Sequence, residues 1–165
     1  MRVVRHILLL LLAFVLQTTW LHLFAVSGLR PDLILVVLVH VALRSPQLES
    51  TVLGFGAGFL QDLYSPADLG LNALAKSLVG FTVSYGRTGV VADSVQVQIA
   101  FLCGSVVVHD LICYLGSSGV TLATAPGYWL GHGLGQGLYT CVLGTLVSGA
   151  MLGRRWLLTG NRPEP

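Results

Sequence analysis

Long apolar runs separated by short polar breaks form a repeating pattern along the chain. The breaks contain proline, glycine and charged residues, which are typical of the ends of hydrophobic helices. They fall at 28–31, 44–46, 65–68, 87–93 and 116–126. The runs between them predict six membrane-spanning helices, at about 5–24, 32–44, 50–64, 70–86, 96–115 and 127–152.

The second, third and fourth predicted spans are short. A helix of about 15 residues is about 22 Å long, whereas the apolar core of a bilayer is about 30 Å thick. Neighbouring helices or a locally thinner bilayer can accommodate such spans. The alternative arrangement has five full spans, with the second and third segments forming a hairpin that does not fully cross.

Composition supports a membrane protein. The 165 residues are 54% hydrophobic and 10% charged, with a mean hydropathy of +0.79, whereas a soluble domain has about 25% charged residues. We therefore expect an all-α integral membrane protein, with one compact bundle over residues 1–153 and a short cytoplasmic tail over 154–165. The net charge of +2 is too small to indicate nucleic-acid binding.

The N-terminus resembles a signal peptide, because Arg2 and Arg5 precede an apolar run and 25–28 resembles a cleavage site. The uncharged stretch 6–29 is nevertheless long enough to span a bilayer, so we interpret it as an uncleaved first helix. Cytoplasmic loops are rich in arginine and lysine, which places both termini in the cytoplasm. The residues on that side are Arg2, Arg5, Arg44, Arg87, Arg154, Arg155 and Arg162, against Arg30 and Lys76 on or near the other side.

Glycines recur at four-residue spacing in two of the predicted spans. Small residues let membrane helices approach closely. Gly54 and Gly58 form one such pair in the third span, where Gly56 between them is also expected to permit close helix contact. Gly127, Gly131 and Gly135 form a longer series in the sixth span, with Gly133 and Gly137 offset from it. We predict that they pack helices inside the bundle; the alternative is a docking surface for a membrane helix of another protein.

Polar residues gather towards the outer ends of the predicted spans. A charge at the bilayer centre costs at least about 2.5 kcal/mol, so these side chains usually face the protein interior. We predict that they tie helix ends together through paired charges and hydrogen bonds, with Asp62 near Arg30 or Lys76. A partner-binding surface and a metal or proton site are the alternatives. The set comprises Arg30, Asp32, Asp62, Asp68, Lys76, His109, Asp110 and His132.

The sequence has no hydrolase, zinc-protease or phosphate-binding motif. Side chains at His109 and Asp110 point about 100° apart on a helix, so one ion does not easily bind both. The three cysteines lack metal-ligand spacing. We therefore expect a protein without enzymatic activity, cofactor or metal.

Two segments, RPDLILVVLVHVALRSP (30–46) and ESTVLGFGAGFLQDLYSPADLGLNALAKSLVGF (49–81), resemble the core pattern of the MreD family of rod shape-determining proteins. In that pattern R-P-D-L starts the second span. G-F-x-x-G-x-x-x-D then precedes a short loop, and L-G-x-N/H-A-L opens the next span. The matching residues are Arg30, Pro31, Asp32, Gly54, Phe55, Gly58, Asp62, Leu69, Gly70, Asn72, Ala73 and Leu74.

The resemblance implies a non-enzymatic scaffold of the bacterial cell-elongation machinery in the cytoplasmic membrane. The implied partner is MreC, together with MreB, the RodA glycosyltransferase and a class B penicillin-binding protein, in support of rod shape and lateral peptidoglycan synthesis. The fold of the family is similar to that of the substrate-binding subunits of energy-coupling-factor vitamin importers. Such a subunit is therefore the alternative function.

Three of the matching residues are expected to act at helix ends. Pro31 suits a first helical turn, where its missing N–H costs nothing. Asp32 in the same turn favours the helix N-terminus. Asn72 is predicted to cap the fourth span.

Overall fold

Six α-helices make up the part of the chain that the computed structural model describes, residues 2–19, 31–64, 69–88, 94–116 and 134–159. No strand occurs within these ranges, so the all-helical prediction is confirmed for them. The helices are α1 (Arg2–Thr19), α2 (Leu33–Ala42), α3 (Gln47–Tyr64), α4 (Leu71–Gly86), α5 (Val95–Gly116) and α6 (Leu134–Thr159).

The observed ends of α3, α4 and α5 lie close to the predicted ends of the corresponding spans. The predicted stretch 20–24 of the first span and the predicted start of the sixth at 127 lie outside the described residues. α6 continues to Thr159, beyond the predicted end of its span at 152. The first residues of the predicted tail, 154–159, are therefore helical.

The shortest helix, α2, lies at the centre. It has 10 residues, which is about 15 Å of helix, and it contacts each of the other five described helices. A helix that is apolar on all sides is buried by its neighbours, and most of α2 is buried. The buried positions are Ile34, Leu35, Val36, Leu38, Val39, Val41 and Ala42.

The other five helices surround α2 in the order α1, α3, α4, α5, α6, each in contact with the next. The most extensive of these contacts joins α3 to α4. A Cβ atom added to Gly54 would overlap the backbone carbonyl of Lys76, and one added to Gly58 would lie 2.6 Å from the Cα of Ala73. Gly80 meets the backbone of Ser50 in the same way. Glycine therefore sets the distance between α3 and α4.

Gly56 differs from its two neighbours in the glycine series. It was expected to permit close helix contact like them, but a Cβ atom there would have no heavy atom within 4 Å. Gly56 lies two residues from Gly54 and from Gly58, which places it on the opposite side of α3, away from α4. The expectation of close helix contact was therefore wrong for Gly56. It lines an apolar groove of about 380 Å³ between α1 and α3.

Several charged side chains lie inside the bundle, and large apolar side chains lie on its surface as well as in its core. Lys76 and Asp62 are fully buried, whereas Leu8, Phe55 and Leu146 are more than half exposed. By length and apolar composition, two described helices could cross a membrane, α1 and the stretch Gln96–Gly116 of α5. α1 lies near the N-terminus, where a signal sequence would meet the same criteria.

Candidate functional site

Asp32 caps the N-terminus of α2. Its backbone is extended, with φ −91° and ψ 90°, and its Oδ1 accepts a hydrogen bond of 3.0 Å from the N–H of Leu35. Aspartate is among the preferred residues at this position because it satisfies a free N–H of the first turn. Pro31 precedes the cap and is buried. The expectation that Asp32 acts at the N-terminus of this helix is therefore confirmed, whereas the expected place of Pro31 and Asp32 inside the first turn was wrong, because the helix begins at Leu33.

The second carboxylate oxygen of Asp32 binds Lys76 of α4. Lys76 Nζ donates to Asp32 Oδ2 at 2.6 Å, and the two side chains are 0% and 8% exposed. A buried pair of this kind is held together by the high cost of leaving either charge alone. Lys76 was one of two predicted partners of Asp62, but it pairs with Asp32 instead. The other predicted partner of Asp62, Arg30, lies outside the described residues.

His109 of α5 extends this pair towards the surface. Its Nε2 lies 3.1 Å from Lys76 Nζ and 3.9 Å from Asp32 Oδ2. Its Nδ1 lies 3.2 Å from Oδ1 of Asp110, whose side chain is 21% exposed. The structure thus brings together four of the residues singled out in the sequence.

Two uncharged side chains complete this site. The N–H of Asp32 donates to Thr140 Oγ1 of α6 at 3.1 Å, and the N–H of Ile34 donates to Gln17 Oε1 of α1 at 3.1 Å. The first N–H groups of a helix lack partners within it, so these contacts satisfy the start of α2. We call Gln17, Asp32, Lys76, His109, Asp110 and Thr140 the α2 junction.

Sequence analysis did not identify Gln17 or Thr140. A single threonine or glutamine in an apolar helix is common and can bond to the backbone of its own helix, as Thr140 also does to the carbonyl of Gln136. The position of Gln17, near the end of a helix with few other polar groups, was the only available signal.

Asp62 at the end of α3 caps α4. Its Oδ1 accepts from the N–H of Asn72 at 3.2 Å and from Asn72 Nδ2 at 2.9 Å, and its Oδ2 accepts from the N–H of Ala73 at 2.9 Å. Gly70 occupies the N-cap position with φ 96° and has no side chain to bond. A positive φ favours glycine. The prediction that Asn72 caps α4 was therefore wrong: the cap comes from α3.

Replacing Asp62 by alanine should destabilise the folded protein by about 2 kcal/mol, because alanine substitution of a capping residue costs about 0.5 to 2 kcal/mol and Asp62 is fully buried. Thermal unfolding in a mild detergent measures the change. Asp62→Asn is the control, since its amide oxygen retains one acceptor, and it should lose less. Equal stability of Asp62→Ala and the unaltered protein would contradict the capping role.

A second polar cluster lies at the opposite ends of α1, α2 and α4 from the α2 junction. His6 Nδ1 of α1 lies 2.8 Å from Glu49 Oε1 and 3.2 Å from Ser45 Oγ. Ser84 of α4 donates to the carbonyl of Ser45 at 2.8 Å. In a catalytic triad the serine and the acid contact different ring nitrogens, whereas here both contact Nδ1. The cluster fastens α1 and α4 to the turn before α3, and sequence analysis missed it.

Close contacts between α5 and α6 involve Gly137, which is offset from the predicted glycine series, and Gly144, which was not singled out in the sequence. A Cβ atom on Gly137 would lie 2.9 Å from Val106 Cγ1, and one on Gly144 would overlap Leu102. Of the predicted series, Gly135 is half-buried on α6. Gly127 and Gly131 lie outside the described residues, as do Asp68 and His132.

Among the described residues, no group of three or more histidine, cysteine, aspartate or glutamate side chains could hold a metal ion. Each charged group of the α2 junction instead lies against another protein group. The site as described links helices.

Comparison with known proteins identifies the family. The family model described as rod shape-determining protein MreD matches residues 1–122, a range that takes in α1 to α5 and hence every residue of the α2 junction except Thr140. Comparisons with curated proteins and with solved structures gave no significant match, so the similarity to vitamin-importer subunits stays a prediction. Since the match covers most of the chain, the protein belongs to the MreD family of rod shape-determining proteins.

Proposed function

We propose that the chain is a non-enzymatic scaffold in the bacterial cytoplasmic membrane that binds MreC and supports lateral peptidoglycan synthesis. Membership of the MreD family assigns it to rod-shape determination. In the proposal MreB, RodA and a class B penicillin-binding protein belong to the same assembly. The family match is the observation that carries the proposal.

An exposed apolar surface above buried charged side chains supports a membrane location. Hydrophobic side chains cover the outside of α1, α3, α5 and α6, while Asp32, Asp62 and Lys76 are buried. In water such a surface would be costly, since about 25 cal/mol is lost for each Å² of apolar area exposed. In lipid the same arrangement is favourable, because charges are kept within the protein.

Contacts between helix ends support a multi-pass topology with the N-terminus in the cytoplasm. Arg87, just after α4, donates to the carbonyl of Leu43 at 3.4 Å, and the contact of His6 with Ser45 brings the start of α1 to the same end. Arg2, Arg5 and Arg44 belong to these helix ends. An end rich in arginine is expected on the cytoplasmic side. The α2 junction then lies towards the outer side.

The bonding within the α2 junction supports a scaffold. Asp32, Lys76 and His109 bond to one another across three helices, and Asp62 is occupied by the start of α4. Side chains engaged in this way hold helices in a fixed arrangement. A fixed arrangement is what a membrane partner helix would require of its binding surface.

Purification of the tagged protein from its own membranes in a mild detergent, followed by mass spectrometry, tests the proposal. We expect MreC to be recovered together with wall-synthesis enzymes. A tagged multi-pass membrane protein of unrelated function, solubilised in parallel, controls for non-specific recovery. Recovery of paired transport ATPases without MreC would contradict the scaffold and favour the importer subunit.

A further inference from the structure

The groove between α1 and α3 is lined by apolar residues throughout. Its volume is about 380 Å³, and at Gly56 a Cβ atom would have no heavy atom within 4 Å. Water does not fill an apolar cavity, so in a membrane the groove must be filled by an apolar group. The lining includes Ile7, Leu11 and Phe14 of α1 and Val52, Gly56 and Ala57 of α3.

Two contacts between α1 and α3 bracket the groove. Near the start of both helices, His6 Nδ1 lies 2.8 Å from Glu49 Oε1. Further along, the rings of Phe14 and Tyr64 meet edge to face, with centroids 6.1 Å apart. One turn of a helix with its side chains occupies about 400 Å³, as much as the whole groove, and these contacts hold α1 and α3 too close together to admit one. An alkyl chain is much thinner and can bend to follow the groove.

The charges at the start of α1 favour an anionic headgroup beside the groove. Arg2 and Arg5 are exposed and lie about 8 and 3 Å along the helix axis from Ile7. Arginine binds phosphate oxygens through its planar guanidinium group, and charges in physiological salt act over about 8 Å. The carboxylate of Glu49 at the same end is bound to His6.

We propose that the groove binds one acyl chain of an anionic phospholipid from the cytoplasmic leaflet, with the phosphate near Arg2 and Arg5. The acyl chain fills the space between the two contacts and completes the packing of α1 on α3. This inference rests on the membrane location and orientation proposed above. It does not depend on MreC, because both sides of the groove belong to this protein.

Native mass spectrometry of the full chain in a mild detergent tests the proposal. The protein is mixed with phosphatidylglycerol, which is anionic, and with phosphatidylcholine, which is zwitterionic and carries the same acyl chains. We expect one phosphatidylglycerol to stay bound in preference to phosphatidylcholine. Equal retention of the two lipids, or of neither, would overturn the proposal. Failure of the protein to insert into lipid bilayers would contradict its membrane location, whereas normal insertion without lipid retention would contradict the groove alone.

Gly56→Leu tests the groove itself. The open space at Gly56 admits a leucine side chain, which would occupy the groove. Retention of phosphatidylglycerol should then fall about tenfold, the factor that corresponds to the low end of the usual cost of overpacking. Gly149→Leu on α6 is the matched control, because a Cβ atom there also has no heavy atom within 4 Å, and it should leave retention unchanged.

Two results with Gly56→Leu would overturn the proposal. One is retention of phosphatidylglycerol equal to that of the unaltered protein. The other is unchanged lipid retention combined with loss of MreC from the purified assembly, which would make the groove a binding surface for a partner helix.

Replacing both exposed arginines tests the headgroup without altering the groove. Arg2→Gln combined with Arg5→Gln should lower the preference for phosphatidylglycerol over phosphatidylcholine by about fivefold or more, since one basic residue near an anionic membrane surface contributes about that factor. Both side chains are exposed, so this double variant tests the proposal even if Gly56→Leu does not fold. An unchanged preference would overturn the anionic headgroup.

Discussion

Replacing Lys76 by methionine should destabilise the folded protein by about 3 to 5 kcal/mol, the cost of removing one partner of a buried ion pair. Methionine fills a similar volume, so the loss reports the charge rather than a cavity. In the variant, the Asp32 carboxylate would lose the ammonium group beside it while remaining in a site where its side chain is only 8% exposed. Reversible unfolding in detergent micelles or bicelles measures the change.

A double-mutant cycle separates the interaction energy between Lys76 and Asp32 from the effects of the two single substitutions. Asp32→Asn removes the charge but keeps an oxygen that can accept from Leu35, because asparagine is an equally good N-cap. The double variant Lys76→Met with Asp32→Asn should cost less than the sum of the single variants, by about 1 to 3 kcal/mol. Arg2→Gln, at an exposed cation on α1, is the control and should change stability by about 0.5 kcal/mol or less. Additive effects would show that Lys76 and Asp32 do not interact.

The helix bounds could be predicted because they depend on local signals. Proline, glycine and charges interrupt the apolar runs, and these breaks correspond to the ends of α3, α4 and α5. The central position of α2 could not be predicted in the same way. A segment that is apolar on every side suits either lipid or a surrounding layer of helices, and its sequence does not distinguish the two.

The residues of the candidate site could be predicted better than their partners. Charges in apolar helices are few, so Asp32, Lys76 and His109 stood out. Which carboxylate meets Lys76 depends on the order of helices around α2, and Asp32 lies 44 residues away along the chain. Asp62 was equally plausible from spacing alone. Its actual role as a cap depends on the close contact of α3 with α4, which brings the end of one helix to the start of the next.

The two ends of the bundle are held by different chemistry, although both use buried polar groups. At the α2 junction the bonds include two opposite charges. At the other end, hydroxyl groups of Ser50 and Ser84 meet at 3.3 Å, beside the His6 cluster. Between these two ends, glycine residues hold α3 and α4 in close backbone contact. The spacing of α3 and α4 therefore controls whether Asp62 can reach the first turn of α4.

Replacing Gly58 by alanine should destabilise the folded protein by about 2 to 3 kcal/mol, at the upper end of the usual cost of overpacking. The added methyl group would overlap the carbonyl oxygen of Asn72 and lie 2.6 Å from the Cα of Ala73. These are backbone atoms of the first turn of α4, which cannot turn away as a side chain can. α4 must therefore move, and the hydrogen bonds from Asp62 to that turn lengthen.

Gly56→Ala is the matched control, because it makes the same chemical change two residues earlier in the same helix. No heavy atom lies within 4 Å of the added methyl group, so only the backbone preference for helix changes, and stability should rise by about 0.5 to 1 kcal/mol. Thermal unfolding of both variants in one detergent compares them directly. If Gly58→Ala were as stable as Gly56→Ala, α3 and α4 would not be in backbone contact. The reach of Asp62 to α4 would then need another explanation.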